Sequence, residues 1–196
     1  MQVLLLDVDG VLVRRMGYFS ERFSREHSIP LENIMTFFNN EFKQCLIGKA
    51  DLKVELSKYL IKWGWQGSID DFLKYWFESE TDLQLDILEY VSQLRKLGIQ
   101  VFLVTSNEKY RTEFLMKHFN FIKMVDGVFS SCDLGADKNE AQFFKGVLKA
   151  MPTVLPEDIV LCDDDEKNIK AAEKVGIKGI LFVDLDDLKH QIQDLD

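Results

Sequence analysis

Two carboxylates stand one residue apart, directly after the first apolar run of the chain. Residues 3–6 read as a strand that is buried on both faces, and Asp7 and Asp9 follow it. Open parallel sheets place their ligand sites at the carboxyl ends of the strands. The pattern therefore predicts that both acids point into such a site. The segment alone also permits two antiparallel strands joined at Asp9-Gly10, a common tight-turn dipeptide.

Other polar groups stand where a later strand is predicted to end or a later helix to begin. They are Thr105, Ser106 and Asn107 after the apolar run 99–104, Lys138 in the loop 135–139, and Asp163, Asp164 and Asp165 after the run 159–162. Successive parallel strands bring their carboxyl ends to one edge of a sheet. We therefore expect these groups to meet Asp7 and Asp9 at that edge.

Several acidic oxygens at one edge repel one another and require a cation. A hard, water-retaining ion such as Mg²⁺ suits oxygen ligands best, so a magnesium site is expected, with Asp7, Asp9 and Asp164 as ligands. A metal ion, a carboxylate, a hydroxyl and an ammonium together can transfer a phosphoryl group. The predicted chemistry is therefore phosphoryl transfer.

The roles within such a site follow from the chemistry of each group. Asp7 is the expected nucleophile, which forms an aspartyl-phosphate. Asp9 is expected to protonate the leaving oxygen and later to accept a proton from the hydrolytic water. Thr105, with backbone N–H groups at a helix N-terminus, is expected to hold phosphate oxygens.

The remaining groups are expected to handle charge and position. Lys138 would neutralise the phosphate and the nucleophile, and Ser106 and Asn107 are further candidates for phosphate binding. Asp164, oriented by Asp163, would complete the metal site.

Two patterns of secondary structure must position these groups. From about residue 81 onward, helix and strand alternate, which predicts crossover connections and a parallel sheet with helices on both faces. Residues 15–80 instead repeat apolar side chains at helical spacing, which predicts four short helices. The predicted fold is α/β: a Rossmann-like core formed by residues 1–14 and 81–196, with an all-helical cap inserted at 15–80.

The composition limits the possible partners and compartments. Hydrophobic residues make up 46% of the chain, which is ample for a packed core. The net charge of −9 repels polyanions, so neither nucleic acid nor an anionic membrane is expected to bind. Asp7 interrupts the apolar N-terminal stretch, so we expect a cytoplasmic protein. Cys45, Cys132 and Cys162 are widely spaced and are expected to be buried, reduced thiols.

At these polar positions the chain resembles the haloacid dehalogenase superfamily. The matching segments are Asp-Val-Asp-Gly-Val at 7–11, Thr-Ser-Asn at 105–107, Lys-Asn at 138–139, and Asp-Asp-Asp-Glu-Lys-Asn at 163–168. They have the order and rough spacing of the four motifs of that superfamily. A helical cap inserted after the first motif also fits, and residues 47–51 are similar to a turn found in such caps.

The resemblance implies a phosphatase branch of the superfamily, because dehalogenases proper lack the second acid, here Asp9. It also favours Asp164 over Asp163 as the direct metal ligand, and it places Asn168 as a support of that loop. The hydroxyl of the second motif could come from Thr105 or Ser106, and Thr105 is preferred because it is nearer the strand.

The expected function is Mg²⁺-dependent hydrolysis of a small phosphorylated metabolite, under a cap that opens and closes. A phosphomutase of the same superfamily and a catalytically silent interaction protein on this fold are the alternatives. A phospho-accepting receiver domain is a third, but its acids and phospho-acceptor come in the reverse order. Arg14, Arg15 and Lys49 are candidates for contact with the substrate.

Overall fold

The protein forms a parallel β-sheet with helices on both faces, as the alternating pattern predicts. The computed structural model describes residues 1–193. Within them the sheet has five strands in the order β3-β2-β1-β4-β5. They are β1 Val3–Asp7, β2 Gln100–Thr105, β3 Gly127–Ser130, β4 Ile159–Asp163 and β5 Lys178–Leu181.

The first strand lies at the centre of the sheet. It pairs in parallel with β2 on one side and with β4 on the other, so the alternative of a hairpin at Asp9-Gly10 is wrong. Leu4 and Leu6 pack into the core on one face, and Val3 and Leu5 pack into the core on the other. Burial on both faces explains why the strand is uninterruptedly apolar.

Helices from the second part of the chain cover the two faces. The helices are α6 Leu85–Lys96, α7 Lys109–His118, α8 Ser131–Leu134, α9 Ala141–Ala150, α10 Glu166–Glu173 and α11 Leu185–Gln193. Helices α6, α7 and α11 pack on one face of the sheet, and mainly α9 and α10 pack on the other. Short 3₁₀ helices occupy residues 121–123 and 156–158.

Helices also fill the segment between β1 and α6, here called the insert (residues 19–78). The described chain has five of them there, not the four that the periodicity predicts. They are α1 Phe19–His27, α2 Leu31–Asn39, α3 Glu41–Leu46, α4 Leu52–Leu60 and α5 Ile69–Glu78. The missed break is at Asn40, whose φ is −119° and ψ −89°. Apolar periodicity hides the break because α2 and α3 pack on the same core.

The insert has a hydrophobic core of its own, rich in aromatic rings. Phe72 is fully buried there, and its ring lies 5.2 Å from that of Phe23 and 5.6 Å from that of Phe19. Ser68 caps the start of α5: its hydroxyl accepts from the backbone N–H of Asp71, and the Asp71 carboxylate accepts from the Ser68 N–H. The domain boundaries at residues 14/15 and 80/81 stay a prediction.

The three cysteines can be compared with their expected state. All three are free thiols; Cys45 and Cys162 are buried as expected, but Cys132 is only half-buried. Within residues 1–193, no helix has both the length and the apolar character needed to cross a bilayer.

We predict that Phe72→Ala lowers the free energy of unfolding by about 3 to 5 kcal/mol, because the cavity left by the ring cannot fully collapse. Urea denaturation followed by circular dichroism measures the change. Ile61→Ala is the matched control in the same insert, because Ile61 is 85% exposed. Equal losses in the two variants would contradict a packed core in the insert.

Candidate active site at the carboxyl edge of the sheet

Asp7 and Asp163 lie side by side because β1 and β4 are neighbours in the sheet. Leu6 pairs with Cys162, so the two strands end at the same level. Lys138, from the loop before α9, inserts its Nζ between the two carboxylates, 2.5 Å from Asp7 Oδ1 and 2.8 Å from Asp163 Oδ2. The side chains of Asp7, Asp163 and Lys138 are all at most 5% exposed.

Burial and charge oppose each other in this group. Burial raises the pKa of Asp7 to about 7, although the Lys138 ammonium lowers it. Burial alone would lower the pKa of Lys138, but attraction to Asp7 and Asp163 outweighs it and raises that pKa. One ammonium therefore faces two carboxylates, and the site favours a further cation.

A third acid, Asp164, completes a cluster that could hold a metal ion. Carboxylate oxygens of Asp7, Asp163 and Asp164 lie within 4.8 Å of one another. Asp164 Oδ1 is buried and has no hydrogen-bond partner within the described chain. A hard divalent cation fits such a group of converging carboxylates.

Gly10 makes room for Asp164. Its φ is +112°, a conformation that favours glycine, and a Cβ at this position would collide with the Asp164 carboxylate. Burial raises the pKa of Asp164, although nearby Arg15 lowers it. Arg15 Nη1 lies 3.3 Å from Asp164 Oδ2, and Arg15 Nη2 donates to the backbone oxygen of Asp9 at 2.8 Å. Arg15, a candidate for substrate contact, thus lies at the acidic cluster.

The loop of the fourth motif is held by Asp163. Its Oδ1 accepts from the Asp165 N–H at 2.9 Å and from the Asn168 side-chain amide at 2.9 Å. Asp165 in turn caps α10 by accepting from the Lys167 N–H. Asn168 therefore supports this loop through Asp163.

Asn107 connects the second acid to the end of β2. Its amide Nδ2 donates to Asp9 Oδ2 at 2.7 Å and to Thr105 Oγ1 at 2.6 Å. Thr105 is buried at the end of β2, whereas Ser106 is half-buried. The structure thus brings Asp9, Thr105 and Asn107 into one hydrogen-bonded chain.

Asp9 stands apart from the acidic cluster. Its carboxylate contacts Asn107 and also Arg111, whose Nη2 lies 3.3 Å from Asp9 Oδ1. A metal-binding role for Asp9 stays a prediction.

Sequence reasoning missed Arg111. Its side chain is only 5% exposed, and its guanidinium donates to the backbone oxygens of Phe77 and Glu80 at 2.8 Å each. It therefore ties Asp9 to the end of the insert. One signal was available: Arg111 is in the first turn of α7, where the helix dipole disfavours a cation, so a compensating acid was to be expected.

A cavity of about 750 Å³ lies between the insert and this edge of the sheet. Asp9, Ser106 and Asn107 border it on the sheet side, and residues of α1, α2, α3 and α5 border it on the insert side. We call it the insert cavity. Lys49 lines a separate, smaller cavity beside Cys132.

A family model for haloacid dehalogenase-like hydrolases matches residues 1–176. The chain belongs to this family. The match covers β1, the whole insert and the segments that carry Thr105, Lys138 and Asp163. The resemblance expected from the four motifs is thereby confirmed at the level of the family.

Two curated fungal proteins are similar over part of the chain. The drimenol cyclase drtB of Aspergillus calidoustus is 27% identical over 108 residues, which are 55% of this chain and 20% of that protein. The sesquiterpene phosphatase astK of Aspergillus oryzae is 29% identical over 92 residues, 47% of this chain and 46% of that protein. The chain thus matches less than half of the length of either relative.

Solved structures of the family share the fold. A HAD family enzyme from Bacteroides thetaiotaomicron superposes with a TM-score of 0.84, at 20% identity and over 98% of both chains. A HAD phosphatase from Thermococcus onnurineus has a TM-score of 0.65, at 19% identity and over 93% of this chain and 86% of that one. At these identities the likeness establishes the α/β fold with its helices.

We predict that Lys138→Met lowers the free energy of unfolding by about 3 to 5 kcal/mol at pH 8 in metal-free buffer, because it leaves two buried carboxylates unpaired. The loss should shrink towards pH 5. Without Lys138 the pKa of Asp7 rises further above its unfolded value, so protonation at low pH removes the repulsion.

Urea denaturation at several pH values measures this loss. Lys58→Met is the control, because Lys58 forms an exposed ion pair with Glu55 and should change stability by less than about 1 kcal/mol. A pH-independent loss would contradict the ionic role of Lys138.

Proposed function

We propose that this protein is an Mg²⁺-dependent phosphatase that cleaves phosphate monoesters through an aspartyl-phosphate. The observation that carries the proposal is the placement of Lys138 between Asp7 and Asp163, beside the unpartnered oxygen of Asp164. Asp9, two residues from Asp7, is held separately by Asn107 and Arg111. The site thus offers a nucleophile, a second acid and a place for a cation.

The relatives support this chemistry. One similar protein is named a sesquiterpene phosphatase. The Bacteroides HAD family enzyme has been crystallised in complex with magnesium and inorganic phosphate, and that structure superposes with a TM-score of 0.76 at 20% identity. The first name supports a phosphate monoester as the substrate, and the second supports magnesium and phosphate as ligands of this fold.

Asp7, Asp9 and Asp164 are the residues predicted to hold Mg²⁺. Asp163 also lies in the acidic cluster, but its two carboxylate oxygens already contact other groups of the chain, which suits its predicted role of orienting Asp164. When bound, the ion would supply positive charge that lets an anionic phosphate approach the carboxylates. Lys138 supplies charge of the same sign, because its ammonium already contacts Asp7. Together they would allow Asp7 to meet a phosphate dianion.

Asp7 then attacks phosphorus, and the bond from phosphorus to the leaving oxygen breaks. Asp9 gives a proton to that oxygen, so the alcohol leaves neutral. In the second step a water molecule attacks the aspartyl-phosphate and loses its proton to Asp9. Inorganic phosphate and free Asp7 are the products, and both acids return to their starting states.

Thr105 is well placed to bind a phosphate oxygen. Its hydroxyl oxygen already accepts from Asn107, which leaves its own proton available for donation. This favours Thr105 over Ser106 as the hydroxyl of the second motif. Ser106, which borders the insert cavity, is better placed to meet the leaving group.

We expect Asp7→Asn to lower the rate of phosphate release from a phosphate monoester by about 10³-fold or more, because the amide cannot form the covalent intermediate. Chelation of Mg²⁺ should have a similar effect, reversed by added Mg²⁺. A colorimetric assay of inorganic phosphate measures both effects. Asp186→Asn is the control, because its carboxylate is 97% exposed. Unchanged release by Asp7→Asn would refute the proposed mechanism.

Asp9→Asn should affect alkyl phosphates more than p-nitrophenyl phosphate, because nitrophenolate leaves without a proton. For an alkyl phosphate, kcat/KM should fall by roughly 10²–10⁴-fold. Arg111→Met should give a smaller loss with the same selectivity, because it only positions Asp9. The comparison uses kcat/KM, which reports the first chemical step. Equal losses for both esters would argue against proton donation by Asp9.

A further inference from the structure

We propose that the substrate is a phosphate monoester with an apolar, chain-like leaving group, and that this group lies in the insert cavity. The inference rests on the proposed function and adds the class of substrate.

The insert cavity is continuous with the candidate catalytic groups. Asp9, Ser106 and Asn107 border it, and Asp9 is the acid proposed to protonate the leaving oxygen. Whatever is bonded to that oxygen must therefore extend into the cavity. The lining of the cavity decides which leaving groups can bind.

Aromatic rings form a continuous wall on the insert side. The ring of Trp76 lies 5.1 Å from that of Phe19, 5.3 Å from that of Phe38 and 5.4 Å from that of Phe42. All four residues line the cavity. Phe38 and Phe42 remain half-buried, because one side of each ring faces the cavity instead of the core.

Two further apolar side chains line the cavity without being part of the hydrophobic core of the insert. Met35 of α2 and Leu46 of α3 are half-buried and line the cavity, yet neither belongs to the hydrophobic core of the insert. Packing in that core thus does not account for their apolar surface. An apolar ligand would cover it, whereas a sugar would leave its hydroxyls unpaired against it.

Most of the polar side chains around the cavity already form ion pairs or hydrogen bonds within the protein. Arg14 pairs with Asp82 at 3.5 Å and Arg22 with Glu26 at 3.1 Å. The hydroxyl of Ser79 donates to the backbone oxygen of Trp76. These contacts use part of the hydrogen-bonding capacity of the wall, and an apolar chain would leave them intact.

The size and the opening of the cavity suit a long chain. A volume of about 750 Å³ is in the range of pockets that enclose drug-sized ligands, and it exceeds what a leaving group of two or three carbons can fill. Met16 and Tyr18 also line the cavity, and they are 76% and 62% exposed. They extend the apolar surface outward to the solvent.

The test compares butyl, hexyl and octyl phosphate with glycerol phosphate and glucose 6-phosphate, in the presence of Mg²⁺ and below micelle-forming concentrations. We expect kcat/KM to rise by roughly fourfold for each added methylene, the value for full burial of a methylene. The polar esters should be poorer substrates than octyl phosphate. A flat series, or a preference for the polar esters, would overturn the inference and leave the phosphatase intact.

A charge in the wall should remove the dependence on chain length. In Met35→Glu the ratio of kcat/KM for octyl over butyl phosphate should fall by at least tenfold. Ile61→Glu is the matched control in the same insert: Ile61 is 85% exposed, and the ratio should not change. Leu46→Gln provides a second test if Met35→Glu does not fold. An unchanged ratio in a folded variant would contradict the proposed location.

Binding separates this inference from the proposed function. In Asp7→Asn, calorimetry should show that octyl phosphate binds at least tenfold more tightly than butyl phosphate. If that holds while the wild-type protein hydrolyses no monoester, the phosphatase proposal fails and the cavity remains an apolar binding site. If the monoesters are hydrolysed and both ligands bind equally, the apolar substrate is wrong and the phosphatase stands.

Discussion

One buried ammonium is the interaction on which the candidate site depends. Lys138 contacts Asp7 at the end of β1 and Asp163 at the end of β4, in surroundings where none of the three charges is solvated. Without it, the two central strands would end in mutually repelling carboxylates. With it, the group still carries an excess of negative charge, and Asp164 adds to that excess. The interaction therefore stabilises this edge of the sheet, and the carboxylates that it leaves unbalanced favour a divalent ion.

The second acid, Asp9, is held by other contacts than Asp7. Asp9 accepts from Asn107 and contacts Arg111, and neither residue belongs to the acidic cluster. Arg111 also binds the backbone at Phe77 and Glu80, where the insert returns to the core. The position of Asp9 is thereby coupled to the end of the insert. The acid proposed to give and take a proton is thus contacted by a residue that also binds the end of the insert.

The architecture was predictable because both periodicities are local. An uninterrupted apolar run predicted a central strand, and helical spacing predicted an insert whose helices share one core. The same reasoning failed at Asn40, because residues on either side of the break pack on that core and keep one apolar period. It also could not decide whether a hairpin forms at Asp9-Gly10, because this dipeptide is compatible with a following strand that pairs either parallel or antiparallel to β1. Only the position of β1 between β2 and β4 decides that point.

The sequence by itself determined which chemical groups stand at strand ends and in which order, because strand ends and helix starts are set by neighbouring residues. The tertiary structure decided which of those groups meet. Asp7 faces Asp163 and Lys138 because β4 crosses over to lie beside β1, and Asp9 is held by Arg111 because α7 starts next to the end of the insert. The apolar cavity likewise forms only where helices α1, α2, α3 and α5 approach the sheet. Such contacts join residues that are far apart in the chain, so local sequence patterns cannot predict how close these residues lie in space.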